Sequence, residues 1–434
     1  MRARLTVSLC AMLLASSVPA GTPSTAPVEA LEARIRALEA QTREVLAALD
    51  QARAEIASLR AAPTQAVAAA ALPEPAAPSS PNAFNPAISI ILNGSLAQHS
   101  LDPETYQIAG FPLAGEAGPG ARGLSLGESE IAFAANIDEK FYGQLTLAVE
   151  SEDGEDGIGV EEAYIETTAL PAGLSARAGR FFSNIGYLNT HHAHTDAFAD
   201  RPLAYQALLG NQYADDGVQL RWVAPTDLYL ELGGELMRGQ SFPSGGAARS
   251  GSGVRTLSVH AGGDVGDESS WLSGVSVLDA RTEDGEDGFS GDNRLYIADL
   301  TWKWAPNGNT RDGGLTLRSE YLHDTRDGRY LDSTQGIEVP WAGSRDGAYV
   351  EGVWRLNRQW DAGYRHDRLW PDASGPFASD TDPVRHNLML TWRNSEFSLI
   401  RLQYSRDDAA PTQRDHALTL QYQAALGAHG AHKF

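Results

Sequence analysis

Cysteine is almost missing from this chain. Cys10 is the single one in 434 residues. It lies in a segment that reads as a cleaved leader, so the mature chain carries no thiol, and disulfides and thiolate catalysis are excluded. Long apolar runs are missing too. Beyond residue 20 no stretch of about 18 apolar residues occurs, and no transmembrane helix is expected. Positive charge is scarce: Lys and Arg number 34 against 56 Asp and Glu, for a formal net charge of −22. A phosphate backbone would be repelled, which excludes nucleic acid as a partner. No Gly-x-Ser-x-Gly elbow and no nucleophile–base constellation is found, so no enzyme activity and no resident cofactor are expected.

What is present begins with an export signal. Residues 1–20 have a charged start (Arg2, Arg4), an apolar run from Leu5 to Val18, and small residues before a cut at Gly21. Removing them moves the formal charge from −22 to −24, because two arginines leave. Residues 21–62 hold a heptad pattern. Val28, Ile35, Thr42, Leu49 and Ile56 fall at a; Leu31, Leu38, Val45, Ala52 and Leu59 fall at d. In a parallel arrangement Arg34 faces Glu39 and Glu55 faces Arg60, both attractive. The expectation is a periplasmic α-helical coiled coil, leaning to a trimer. A single amphipathic helix on another surface is the alternative. Residues 63–86 are rich in Ala and Pro and read as a semi-rigid linker.

From residue 87 to 434 the period becomes two. Leu388, Leu390 and Trp392 alternate with Asn387, Thr391 and Arg393; Tyr296, Ala298, Leu300 and Trp302 alternate with Asp299, Thr301 and Lys303. Connections alternate short and long along the chain. The long ones are expected at 99–123, 152–159, 183–215, 240–253, 282–293, 324–345, 370–382 and 407–413. About 16 antiparallel strands with short turns at one end and long loops at the other describe an all-β transmembrane barrel of the outer membrane. Trp222, Trp271, Trp302, Trp304, Trp354 and Trp392 suit an interfacial girdle. The terminal Phe434 resembles the signal by which barrels are handed to the barrel-assembly machinery.

The segments AGRFFSNIGYLN from Ala178 and DRPLAYQALLGNQYADDGVQLRW from Asp200 resemble the matching stretch of the phosphate-selective porin O/P superfamily. The NPAISIILNG start and the GAHGAHKF end are similar to uncharacterised barrels labelled as TonB-dependent or zinc-regulated outer-membrane receptors. The resemblance implies a Gram-negative outer-membrane porin. It does not carry phosphate over as substrate, since lysines are few and acids many. The chain also has no room for a plug of the usual size, and the barrel is too short for about 22 strands.

The longest interruption, residues 181–213, is the candidate pore loop, with His191, His192, His194, Asp196, Asp200 and Arg201. His192, His194 and Asp196 alternate, so in an extended loop they share a side and could hold Zn²⁺. Hydrogen bonding between loop and wall is the competing reading. His429 and His432 are a second weak candidate. The hexapeptide Glu-Asp-Gly-Glu-Asp-Gly recurs at 152–157 and 283–288 and could gather Ca²⁺ at the outer mouth, or be a solvated acidic loop. The lumen is expected to carry Glu150, Glu162, Glu166, Glu231 and Glu235 against Arg177, Arg221 and Arg318.

The function expected is passive diffusion of small solutes or ions through a homotrimer of the cell outer membrane. An acidic mouth would favour divalent cations. Lipid and lipopolysaccharide surround the barrel. The alternative is a structural tether that contacts peptidoglycan through the coiled coil.

Overall fold

Along residues 384–395 the polarity of a soluble strand is inverted. Leu388 and Leu390 are 55% and 40% exposed, whereas Asn387 and Thr391 on either side of them are at 0% and 1%. The same inversion places Tyr296 and Leu300 outward and Asp299 and Thr301 inward. Apolar side chains face out because lipid is the expected solvent there, and polar ones face a shared interior.

The computed structural model describes residues 86–427, except 153–154, 246–250, 284, 333–336, 376 and 411–412. The leader, the coiled coil, nearly all of the linker, and the tail with His429, His432 and Phe434 lie outside the described residues.

The strands are β1 (Ala87–His99), β2 (Gly123–Leu126), β3 (Ser129–Asn136), β4 (Phe141–Glu152), β5 (Glu155–Thr167), β6 (Leu174–Phe182), β7 (Ala214–Val223), β8 (Tyr229–Met237) and β9 (Val254–Val265). They continue as β10 (Ser269–Thr282), β11 (Phe289–Trp304), β12 (Gly314–Asp332), β13 (Ile337–Arg355), β14 (Trp360–Trp370), β15 (Val384–Ser395), β16 (Ser398–Asp407) and β17 (Asp415–Gly427). All ladders are antiparallel, and β1 closes the ring by pairing β17 on one side and β2 and β3 on the other. β2 and β3 share one place beside β1, so the seventeen segments occupy sixteen positions. A closed sheet leaves no edge to hydrogen-bond with lipid.

The connections at 137–140, 168–173, 224–228, 266–268, 305–313, 356–359 and 396–397 are short or compact and lie at one end. Two of the long loops expected at the other end are hairpins instead. β4 and β5 stay paired to Glu152 and Glu155, and β12 and β13 pair from Asp324 with Arg345 out to Asp332 with Ile337. Their Asp, Arg and Gly content reads as loop. A hairpin that stands clear of the bilayer has no lipid face to keep apolar, so polarity there does not mark the end of a strand.

Seven of the nine tryptophans gather toward the short-turn end, on β7, β10, β11, β13, β14 and β15, while Trp341 and Trp370 lie toward the other. Toward the long-loop end the outward face carries tyrosine–histidine pairs. Tyr364 with His386 and Tyr404 with His416 meet at 2.8 and 2.7 Å between hydroxyl and Nδ1. Two amphipathic belts bracketing an apolar band are what an interfacial anchor requires.

Candidate functional site

The connection from β6 to β7 does not leave the barrel. Residues 183–213 form a strap inside it. Two single turns, Leu188–Thr190 and Ala193–Thr195, lead to the helix α1 (Leu203–Leu209). Every residue of α1 is buried, against β12, β13 and β14. Pro202 precedes it, and Gly210 ends it at φ 59° with its N–H on the Tyr205 carbonyl, the left-handed cap that glycine adopts without a Cβ clash. The strap and the inner walls share one apolar cluster that includes Phe181, Ile185, Leu188, Leu208 and Tyr213 from the strap side and Leu295, Leu322 and Leu369 from the wall.

Asn189 stitches the base of the strap. Its Nδ2 donates to the carbonyls of Ser183 and Tyr213 at 2.8 and 2.9 Å, and its Oδ1 accepts the Tyr213 N–H at 2.7 Å. Glu320 of β12 anchors the middle. It accepts the N–H groups of Tyr187 and Leu188 at 3.0 Å each, and the hydroxyls of Tyr205 and Tyr349 at 2.9 and 2.7 Å. Gly186 makes this approach feasible: a Cβ there would stand 2.4 Å from Glu320 Oε2.

The walls differ in charge. β3, β5 and β8 present Glu130, Glu162, Glu166, Glu231 and Glu235. Arg177 and Arg221 interleave, both bonded to Glu166, at 2.5 and 2.8 Å. Across the lumen, β12 to β16 present Arg318, Arg345, Arg365, Arg385 and Arg401. Most of these are paired on their own wall: Arg318 with Glu351 at 2.5 Å, Arg345 with Asp324 at 2.8 Å, and Arg365 with Asp367 at 3.0 Å. The expected lumen groups Glu162, Glu166, Arg177, Arg221, Glu231, Glu235 and Arg318 are therefore inside; Glu166, Arg177, Arg221 and Arg318 are ion-paired, whereas Glu235 is held by neutral donors, the Asn184 N–H and the Gln219 and Thr256 side chains. Of Glu150 only the backbone is described, opposite Gly157.

The strap is charge-matched to both sides. His192 and His194 lie on the acidic wall. His194 Nδ1 is 2.6 Å from Glu130 Oε1. His192 Nδ1 is 3.1 Å from Glu130 Oε2, and its Nε2 is 3.1 Å from Glu162. Burial works to lower the His192 pKa, but Glu130, Glu161 and Glu162 outweigh it and hold it well above the usual imidazole range. Asp200 lies on the basic wall, 3.0 Å from Arg365 and 2.7 Å from Arg385, with Gln403 at 2.6 Å. Arg401 donates to the carbonyls of Phe198 and Asp196 at 3.1 and 2.6 Å.

Asp196 does not join His192 and His194. Its carboxylate meets Arg201 Nε at 2.6 Å. The turn at Ala193–Thr195 breaks the extended alternation that would have put the three on one side. His191 also turns away, stacked on Tyr187 with ring centroids 4.5 Å apart. Of the carboxylates that meet the histidines, Glu162 is one of the lumen groups expected from sequence, whereas Glu130 and Glu161 are not. Glu130 was legible from parity on β3. Glu161 was not, because a bulge opposite Thr146 and Leu147 turns it inward beside Glu162, where alternation would send it out.

Over the strap lie two more connections. In residues 100–122, Ile108 and Phe111 are buried, and Tyr106 donates to Asp407 at 3.2 Å and accepts from Arg385 at 2.6 Å. Phe242 and Ser244 of residues 238–253 are buried as well. The second acidic hexapeptide is used in this docking. Asp287 pairs with Arg326, and Glu286 accepts the Gly115 N–H at 2.9 Å.

No protein-family model matches the chain. By sequence it is 31% identical over 396 residues to an uncharacterised protein of Aquifex aeolicus (strain VF5), which covers 82% of this chain and 81% of that one. By fold it is similar to a loop-L8 deletion mutant of OmpT, an outer-membrane protein of Vibrio cholerae, at TM-score 0.51 and 12% identity, covering 78% of this chain and 98% of that one. OmpF of Salmonella typhi, solved with daunomycin, gives TM-score 0.51 at 11% identity, covering 79% and 98%. The outer-membrane channel DcaP of Acinetobacter baumannii gives TM-score 0.50 at 10% identity, covering 78% and 96%. This likeness is one of fold: an outer-membrane porin-like barrel.

Proposed function

The chain belongs to one family with the Aquifex aeolicus protein, and on that premise we propose that it is a passive diffusion channel of the outer membrane. Small solutes or ions cross the lumen, and the strap is its constriction. The observation that carries this reading is the strap itself, held across a polar interior from the Glu130 and Glu162 side to the Arg365 and Arg385 side. A soluble barrel has no use for an inverted exterior, and a purely structural barrel has no use for a docked interior bar of charged contacts. No energy source enters, and the chain performs no reaction.

Selectivity arises where the strap leaves groups in contact with lumen water. Asp200 is 29% exposed, Arg221 21% and Glu166 20%. Both signs are present, so the field is transverse and the ion preference weak, with an acidic mouth favouring cations at low salt. A homotrimer is the assembly proposed, and the resemblance of the strap sequence to the phosphate-selective porin O/P superfamily supports a related barrel without a phosphate preference.

Planar-bilayer recording tests this. The purified barrel should give discrete steps, and replacing residues 190–212 by a short Gly/Ser turn should enlarge them several-fold. A barrel that inserts and conducts nothing, with or without the strap, overturns the reading.

A further inference from the structure

We propose that His192, His194, Glu130 and Glu161 form a site for one borderline transition-metal dication, Zn²⁺ or Co²⁺, which pins the strap to the wall. One nitrogen of each histidine and a Glu130 oxygen lie within 4.8 Å of one another, and Glu128, Glu130 and Glu161 satisfy the same limit. A tetrahedral ion with bonds of about 2.0–2.1 Å needs its donors about 3.3 Å apart. The contacts already present, 2.6 Å from Glu130 to His194, 3.1 Å from Glu130 to His192 and 3.5 Å from Glu161 to His192, bracket that spacing.

Three further observations point to a ligand. His192 Nδ1 and Glu161 Oε2 are buried and face each other at 3.5 Å without a well-aligned hydrogen bond, and Glu130 Oε2 faces the same Nδ1 at 3.1 Å. The other nitrogen of His192 faces Glu162 at 3.1 Å, the carboxylate that would hold the imidazole with Nδ1 free to bind. The bulge that brings Glu161 in spends a residue of β5 to add a carboxylate beside one already there. The donor set is chemically selective. Two imidazoles disfavour Ca²⁺ and Mg²⁺, which take oxygen, and the absence of thiolate disfavours the softest ions. His192 keeps 20% exposure, which gives an ion a path from the lumen.

The donors come from three elements: β3, β5 and the strap. An ion bound there holds the strap docked, so metal closes the constriction. This consequence for conduction rests on the channel reading above; the site does not.

The test uses the full-length barrel in detergent, stripped with chelator, and titrates Zn²⁺ by calorimetry and Co²⁺ by absorbance. The expected result is one ion per chain, with an intense visible Co²⁺ band of a tetrahedral N/O site. His194→Ala and Glu130→Gln each weaken binding at least tenfold, while His429→Ala with His432→Ala leaves it unchanged. Protease cleavage within residues 190–212 should slow when Zn²⁺ is added to the parent and not to His194→Ala. Binding that survives His194→Ala, or is lost in the tail variant, or a weak octahedral Co²⁺ spectrum, overturns the site. Binding with those properties and an unchanged conductance would overturn the claim that metal closes the constriction and leave the site standing, whereas a barrel that binds the ion and conducts nothing, with or without the strap, would overturn the channel reading alone.

Discussion

Glu320→Ala is the most direct way to loosen the strap from the wall. The carboxylate accepts four hydrogen bonds, two from backbone N–H groups of the strap at 3.0 Å and two from buried tyrosines. Glu320 and Tyr205 are both at 0% exposure, so solvent does not replace the lost partner in the docked state. Each orphaned buried N–H costs about 1–3 kcal/mol, and the phenols add a smaller loss because Tyr205 still accepts from Asn189. The sum is about 4 kcal/mol, offset in part by water entering the space left. That is about a thousandfold in the ratio of docked to undocked strap. The assay pairs single-channel recording with timed proteolysis of the folded barrel. Large, noisy openings and cleavage within residues 190–212 are expected, with heat-modifiable migration unchanged because the sheet itself is intact. Glu320→Gln, which keeps one acceptor, should fall between. Parent-like conductance and parent-like cleavage in a folded Glu320→Ala barrel would refute the claim that this carboxylate anchors the strap.

Other tests address other parts. Burial alone would raise the Asp200 pKa, but Arg365 and then Arg385 outweigh it and hold it below the ordinary value. Its contribution to docking is therefore complete above about pH 4 and lost as pH falls through the depressed value. Conductance should be flat from pH 5 to 8 and rise below about pH 4, and Asp200→Asn should give the low-pH trace at pH 7. Asn189→Ala removes three hydrogen bonds at the strap's base and should cost about 3 kcal/mol, read as faster deuterium uptake at residues 183–190 and 211–213. Leu388→Arg places a charge on the outward face and should lower refolding stability in lipid vesicles by about 2–4 kcal/mol if it lies near the midplane. His192→Ala with His194→Ala should leave the barrel folded, as its circular dichroism would report.

The sheet was legible because lipid imposes a rule on every second residue. Leu388 with Asn387 and Leu300 with Thr301 show it without any knowledge of partners, and the alternating connections give the two ends. The strap was legible as an insertion, because its length exceeds a hairpin and its histidines are concentrated. Its docking was not. Glu320 bonds residues more than a hundred positions away, and nothing local in β12 distinguishes it from any other inward carboxylate. Asn189 reads as an ordinary loop polar group until its two ends of the strap are brought together. Asp196 was misplaced because a three-residue turn resets the side-chain direction, and Glu161 was missed because a bulge resets strand parity. Both errors share one cause: a sequence shows periodicity, while the functional groups sit where periodicity is interrupted.

The tryptophan belt makes the molecule its own compass. The chain has nine tryptophans, and Trp222, Trp271, Trp302, Trp304, Trp354, Trp360 and Trp392 all stand by the short-turn rim. Trp341 and Trp370 stand toward the long-loop end, so seven of the nine indoles mark one leaflet boundary. A water-soluble quencher added to one side of a vesicle darkens barrels whose short-turn rim faces it more than those inserted the other way. The unlabelled protein thus reports which way up it has inserted, and a current measured across an oriented membrane can be assigned a direction without attaching anything to the channel.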